Sequence, residues 1–197
     1  MKTIVQFGKS QIKLKICFTE EKTRLTPDQL IKIFNLVPLP VEGGLFFQTY
    51  LSAETISRQA LPDRYPVDKP FGTAIVYLLT PDPDSFSALH KLPTDEVYHF
   101  YLGNPVELLQ LHPDGSSQRI ILGQDLLGGQ KVQHVVPRDV WQGSHLLAGG
   151  QFALLGTTMA PGYTNEDYIG GDPDELSAAY PDQERLIEQL TRRARDV

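Results

Sequence analysis

The chain contains 197 residues with a formal net charge of −6, and 41% of the residues are hydrophobic and 21% charged. These values suit one globular domain that buries a core of its own. The acidic balance argues against a nucleic-acid partner, because phosphate binding needs a concentrated basic face.

Cysteine usage and targeting signals suggest where the protein resides. The single cysteine, Cys17, cannot form an intramolecular disulfide and fits a reducing compartment. The first residues lack a signal-peptide pattern, and no apolar run is long enough to cross a bilayer. We therefore expect a soluble, cytoplasmic protein without a membrane partner.

The start of the chain is predicted to form an added hairpin. Residues 3–7 and 11–18 alternate apolar and polar side chains, and Gly8 opens a turn between them. We assign residues 1–25 to this extension and residues 26–197 to a single domain.

A helix with clear boundary signals follows the extension. Thr26 is its N-cap, Pro27 takes the first helical position, and Gln29 completes a capping box. Asn35 can end the helix, since Pro38 prevents its continuation.

Strand patterns separated by turns fill the region from residue 43 to residue 161. The 16 glycines and 15 prolines of the chain agree with a turn-rich β protein. The clearest strands are predicted at residues 46–52, 73–79, 97–102, 107–111, 117–122, 132–136 and 152–158. They predict an all-β sandwich or closed barrel, and a final helix is expected near residues 182–195.

His90 and Glu96 form the most informative spacing in the chain. If a strand begins at Glu96, then Tyr98, Phe100 and Leu102 share its face. A carboxylate that faces the interior must find a partner or be protonated, and His90 is the natural candidate. The pair could hold a metal, move a proton, bind a ligand, or form a structural hydrogen bond that fixes the intervening turn.

A second candidate group follows the strand pattern that ends at Val136. A turn begins at Pro137, and Trp141 and Gln142 then start the next element. The amide of Gln142 could supply a donor and an acceptor to a ligand, or it could cap an exposed turn. Trp141 is expected to pack against neighbouring side chains and not to contact a ligand.

These two segments resemble the two motifs of the cupin superfamily. His90, Glu96 and Gly103 match the first motif, but Leu92 stands where that motif has a second histidine. One of the three metal ligands of that motif is therefore missing.

The second motif is matched at Pro137, whereas Asp139 replaces its glycine and Gln142 its histidine. Over about residues 26–190, the chain resembles an uncharacterised cupin family, a cupin-like domain of unknown function. The matching stretches are residues 42–44, 73–75, 87–103, 122–123, 136–137, 141–142, 160–163 and 167–168. The resemblance implies a double-stranded β-helix (jelly roll), similar in fold to the sugar-nucleotide epimerases of the rhamnose pathway, and a homodimer.

The chain departs from that family at two places. Pro40 and Val41 precede Glu42 where family members have His-Pro, and Leu51 follows Tyr50 where they have an arginine. If these positions contact the ligand, this chain binds a different ligand or binds more weakly.

The donor set disfavours a tight metal site, so no cofactor is expected. A typical cupin site offers three imidazoles and one carboxylate, whereas this chain offers His90, Glu96 and the neutral amide of Gln142. Three further histidines are expected to be exposed or satisfied in the core: His99, His134 and His145. Only weak or adventitious divalent metal is expected at His90 and Glu96.

Two functions follow as hypotheses. The first is a metal-independent isomerase or epimerase acting on a sugar-like or small acidic substrate. His90 would move the proton, and Glu96 would orient the imidazole of His90 and raise its basicity. Tyr98 or Tyr50 would act as the opposing acid.

The second hypothesis is a non-catalytic module, and the residues predicted to bind its small-molecule ligand are Glu42, Tyr50, His90, Glu96 and Gln142. A metal-dependent dioxygenase ranks lowest.

Overall fold

The computed structural model describes residues 25–192. Its helices are α1 (Pro27–Phe34), α2 (Pro173–Ala179) and α3 (Glu184–Leu190). Its strands are β1 (Val37–Pro38), β2 (Leu45–Leu51), β3 (Thr55–Ile56), β4 (Lys69–Pro70), β5 (Thr73–Leu79), β6 (Phe86–Lys91), β7 (Glu96–Gly103), β8 (Val106–Leu111), β9 (Ser117–Leu122), β10 (Gln133–Val136), β11 (Trp141–Leu146), β12 (Ala153–Met159) and β13 (Ile169–Gly170). The hairpin predicted for residues 1–25 lies outside the described residues, apart from residue 25.

Two antiparallel sheets form the body of the domain. The larger sheet has six strands in the order β1-β2-β5-β12-β7-β10, and the smaller has five in the order β13-β6-β11-β8-β9. Strands β3 and β4 form a separate two-stranded sheet. The predicted all-β jelly roll with helices near both ends is confirmed.

The apolar core lies between the two sheets. Both sheets contribute alternate residues to it, as expected when each strand turns one face inward. Its buried members are Tyr77, Leu79, Tyr98, Phe100, Val106, Leu108, Ile120, Leu122, Val136, Val140, Ala153 and Leu155.

Helices cover the outer faces of both sheets. Helix α1 buries Leu30 against Val76, Leu78 and Leu154 on the six-stranded sheet. Helices α2 and α3 cover the five-stranded sheet through a second cluster: Phe86, Ala88, Leu89, Leu109, Leu111, Leu176, Tyr180, Leu186, Ile187 and Leu190. Strands β5 and β6 are therefore buried on both faces, which removes the polar alternation that marks a half-exposed strand.

The start of α1 agrees with its local signals. The Thr26 hydroxyl accepts a hydrogen bond from the Gln29 amide, and the Gln29 side chain accepts one from the Thr26 amide. Asn35 ends the helix in the left-handed conformation, with φ of 53°, which asparagine tolerates better than most residues.

Two sequence predictions differ from the fold. The region near residues 182–195 contains α3, but a further helix, α2, precedes it where the sequence analysis expects none. Leu102 does not share the inner face of β7, because the pairing of β7 with β12 shifts register between Leu154 and Leu155. This irregularity turns Leu102 outward against the cluster beneath α1.

Helices α1, α2 and α3 contain seven or eight residues each, whereas a helix that crosses a bilayer needs about 20. Within residues 25–192, no helix is long and apolar enough to span a membrane.

Candidate functional site

A cavity of about 960 Å³ opens between the sheets at one end of the domain. Strands β2, β5, β6, β7 and β12 and the segments around residues 37–42 and 163–168 form its wall. Aromatic side chains contribute much of the lining: Phe46, Phe47, Tyr77, Tyr98, Tyr163 and Tyr168. A concave site with apolar walls and a few polar groups is the usual form of a small-molecule site.

His90 enters the cavity from β6 and is held from two sides. Its Nδ1 lies 2.7 Å from the carbonyl oxygen of Ala88, so in the neutral ring Nδ1 carries the proton and Nε2 keeps its lone pair. Tyr168 stacks on the imidazole at 5.2 Å between ring centroids and 22° between planes. With only 1% of its surface exposed, His90 has a fixed ring with a basic nitrogen at the cavity.

Glu96 faces His90 from the other sheet and is bonded to Gln142. Gln142 Nε2 donates to Glu96 Oε2 at 2.7 Å. Gln142 pairs directly with His90 across β11 and β6, which brings the three side chains together. Gln142 is 1% exposed and lies behind the cavity wall rather than in it. Its Oε1 has no hydrogen-bond partner among the described residues.

The contact predicted between His90 and Glu96 is not a hydrogen bond in this structure. Glu96 bonds to Gln142, and the Ala88 carbonyl orients the imidazole. The structure therefore contains no hydrogen bond through which Glu96 would orient the imidazole or fix the turn, and the catalytic roles of the two residues stay a prediction. In the turn between them, the Asp95 carboxylate accepts a hydrogen bond from the Arg138 amide at 2.8 Å.

Burial has the largest effect on the pKa of Glu96. Loss of hydration raises the pKa of its carboxyl above the ordinary value of 4.5, and His90 opposes the rise. Glu42 raises this pKa further, while bonds from Thr157 and Gln142 lower it. A buried carboxyl with a raised pKa is a common feature of functional sites.

Tyr98 lies in the wall of the cavity on β7, across from His90 on β6. It is 2% exposed. Burial, with smaller contributions from Glu96 and Glu42, raises the pKa of its phenol well above 10.0. Tyr98 therefore stays protonated near neutral pH and can donate a hydrogen bond.

Glu42 is positioned by a loop that depends on glycine. Its Oε1 accepts a hydrogen bond from Ser87 at 3.0 Å, and the Tyr77 hydroxyl donates to the Gly43 carbonyl at 2.9 Å. A Cβ at Gly44, where φ is +66°, would lie 2.4 Å from the Tyr77 hydroxyl. Glycine at this position lets the loop fold onto Tyr77 and bring Glu42 to the cavity.

The rim contains the two departures from the family pattern. Val41 has φ of 65°, a conformation closed to proline, whose ring fixes φ near −65°. Leu51 lines the cavity, whereas Tyr50 is 51% exposed and does not belong to the cavity wall. The structure thus does not bring Tyr50 together with the other predicted ligand-binding residues.

A buried ion pair that the sequence did not reveal anchors the segment carrying Tyr163 and Tyr168. Lys69 and Asp167 form it with both side chains fully buried. Lys69 Nζ also lies 3.1 Å from the Thr164 hydroxyl. The two charges are 98 residues apart in the chain, so no local pattern could have indicated the pair.

The donor set does not fit a transition metal. Leu92 lines the cavity at the position of the missing histidine, and Glu96 is already engaged with Gln142. Among residues 25–192, no three side chains of His, Cys, Asp or Glu come close enough to hold a metal ion. Three histidines have other partners: His99 contacts Thr158, His134 contacts Gln110, and His145 contacts Glu107.

Comparisons with known proteins point to one family. A family model described as "Cupin superfamily (DUF985)" matches residues 28–169. An uncharacterized protein of Saccharomyces cerevisiae, YML079W, is 30% identical over 145 residues, covering 68% of this chain and 71% of the yeast protein.

Two solved structures share the fold over most of the chain. Protein SO0799 from Shewanella oneidensis matches with a TM-score of 0.74 and 27% identity, covering 85% of this chain and 98% of that one. A hypothetical protein from Leishmania major matches with a TM-score of 0.73 and 26% identity, covering 84% and 98%. Their names state no activity.

Proposed function

This chain belongs to the DUF985 family of the cupin superfamily, and from that premise we propose that its cavity binds a small molecule and isomerises it without a metal. The ligand is a compact polar or sugar-like compound that carries a carbonyl group. His90 is the base and Tyr98 the opposing acid.

The observation that carries this proposal is the placement of these two groups on opposite sheets. His90 belongs to β6 of the five-stranded sheet, and Tyr98 belongs to β7 of the six-stranded sheet. A ligand between them meets an imidazole on one face and a phenol on the other. Proton removal from one face and return to the other is the chemistry of an epimerase.

The proton transfers balance without a cofactor. Nε2 of His90 takes a proton from the carbon next to the carbonyl, and the electrons of the C–H bond form an enolate. The Tyr98 phenol then returns a proton to the opposite face of that carbon. The imidazolium finally re-protonates the phenolate through solvent, which restores both residues.

A ligand screen followed by two variants tests this function. A thermal-shift screen of neutral, cationic and anionic sugars and keto compounds should identify ligands that raise the melting temperature by mass action. For such a ligand, His90→Asn should abolish exchange of the carbon-bound proton with deuterated solvent, whereas Tyr98→Phe should abolish epimerisation. Binding should persist in both variants. His112→Asn is the matched control, since His112 does not line the cavity.

A non-catalytic binding module is the second candidate, and one observation favours it. Glu96 is bonded to Gln142, so His90 lacks the hydrogen bond to a carboxylate that usually strengthens a histidine base. A ligand that binds to the cavity without proton exchange at any pH would favour this candidate. The absence of binding by every class of compound would contradict both.

A further inference from the structure

The formally charged side chains of the cavity wall are all acidic. Three carboxylates line the cavity, from Glu42, Glu96 and Glu166, whereas among the described residues no lysine or arginine does. The buried Lys69 is neutralised by Asp167 and lies outside the wall. A phosphate or carboxylate on a ligand would meet these charges without a cationic partner.

The position of Glu42 makes its charge effective. Its carboxylate accepts only one neutral hydrogen bond, from Ser87, and no ion pair is formed with it among the described residues. It lies close enough to Glu96 to raise the pKa of that carboxyl. It also contributes, after burial, to raising the pKa of Tyr163 to about 12. The negative potential therefore extends over both sides of the cavity.

The aromatic lining suits the same kind of ligand. Tyr163 and Tyr168 lie at the cavity together with Phe46 and Phe47. Faces of aromatic rings attract cations, and the attraction strengthens where water is displaced. Carboxylates and ring faces at the cavity both favour a ligand group that carries positive charge.

We propose that the cavity selects ligands carrying a protonated amine on an apolar or sugar-like ring, an inference that rests on the proposed role of the cavity as a ligand site. The amine lies between Glu42 and Glu96, and the ring lies against the aromatic wall. Phosphorylated sugars, nucleotide sugars and small acids are excluded by the same charges. This narrows the substrate class to amines such as amino sugars.

Three probes of matched shape test the inference on the full chain: cyclohexylmethylamine, cyclohexylmethanol and cyclohexanecarboxylate. Titrations followed by NMR should give an affinity for the amine that is about tenfold higher than for the alcohol, with the carboxylate weakest. Glu42→Gln should weaken the amine about tenfold and leave the alcohol unchanged. Glu188→Gln, which removes an exposed charge on α3 away from the cavity, should change neither affinity.

Three outcomes would overturn the inference: equal or tighter binding of the alcohol or the carboxylate, equal weakening by Glu188→Gln, or no binding of any probe. Its failure differs from failure of the proposed function. Binding of neutral or anionic compounds in the broader screen would leave the ligand site standing while this inference falls. If no compound of any charge binds, both fall.

Discussion

The two ends of the same strands differ in what they bury. At the open end, defined by Thr73, Glu96 and Met159, the interior contains the cavity and its polar groups. At the closed end, defined by Leu79 and Ala153, the same strands bury apolar side chains in the core between the sheets. The change occurs within single strands rather than between domains.

This difference separates the sources of stability from the site of chemistry. The closed end gains from apolar area removed from water, which needs no specific partner. The open end contains buried polar groups, each of which costs free energy unless another group compensates it. Apolar packing at the closed end thus stabilises the strands. The open end buries polar groups at a cost in folding free energy, and these groups can bind a ligand.

The largest effect is expected from the ion pair of the open end. Lys69→Met leaves Asp167 as an uncompensated buried charge, and removal of one partner of such a pair costs about 3–5 kcal/mol. Chemical denaturation should show this loss in the free energy of unfolding. The anchored segment carries Tyr168, so the stacking on His90 should also weaken.

Two variants control this measurement. The double variant Lys69→Met with Asp167→Leu removes both charges and should recover a large part of the loss. Asp63→Asn disrupts an exposed ion pair with Arg58 and should change stability little. If Lys69→Met alone cost no more than Asp63→Asn, the open end would not depend on its buried charges.

A slightly smaller effect is expected at the closed end. Leu108 is fully buried between the sheets, and Leu108→Ala should lower the free energy of unfolding by about 2–4 kcal/mol through lost burial and the remaining cavity. Because Leu108 lies outside the cavity wall, ligand affinity per folded molecule should not change. A large loss of affinity in the folded variant would show that the two ends are coupled.

The features that could be predicted from the sequence depend on local signals. The capping box of Thr26 and Gln29 involves residues three apart, so its pattern is visible without the fold. The same holds for α2, where Asp172 caps the helix and Pro173 begins it. Those two start signals are sufficient to predict where α2 begins.

The remaining features depend on which strands become neighbours. Strand β6 was missed because both of its faces are buried, which hides the alternation of a strand. The outward turn of Leu102 depends on its pairing with β12. The bond from Gln142 to Glu96 joins residues 46 positions apart across two sheets. Sequence motifs brought attention to both residues but could not show that they bind each other.

The difference in stability between the parent protein and its Glu96→Gln variant should depend on pH. Its pKa is higher in the folded protein than the ordinary 4.5 because of burial, so the folded state favours the protonated form. Stability from this group is complete below the unfolded pKa and is lost as pH rises through the folded pKa. Glu96→Gln does not titrate, and its stability relative to the parent protein should rise with pH, by up to about 1.4 kcal/mol per pH unit.

Denaturation curves of both proteins across pH 4–8 measure this difference. Other titrating groups are common to the two proteins and cancel in the comparison. Glu188→Gln changes an exposed carboxylate on α3 and should give a difference that is nearly independent of pH. If Glu96→Gln behaved in the same way, burial of the carboxyl at the open end would carry no cost.

The smallest effect is expected at the rim of the open end, where strain is stored in the backbone. Val41 is 70% exposed and has φ of 65°, a conformation that costs a branched residue about 1–2 kcal/mol. Val41→Gly removes that cost but adds conformational entropy to the unfolded chain, so a net gain of about 0.5–1 kcal/mol is expected. The same substitution at Val37, an exposed valine in the strand β1, relieves no such strain and should lower stability. Opposite signs for the two substitutions in thermal unfolding would locate the strain in the backbone at Val41, whereas losses at both positions would show that the rim is unstrained.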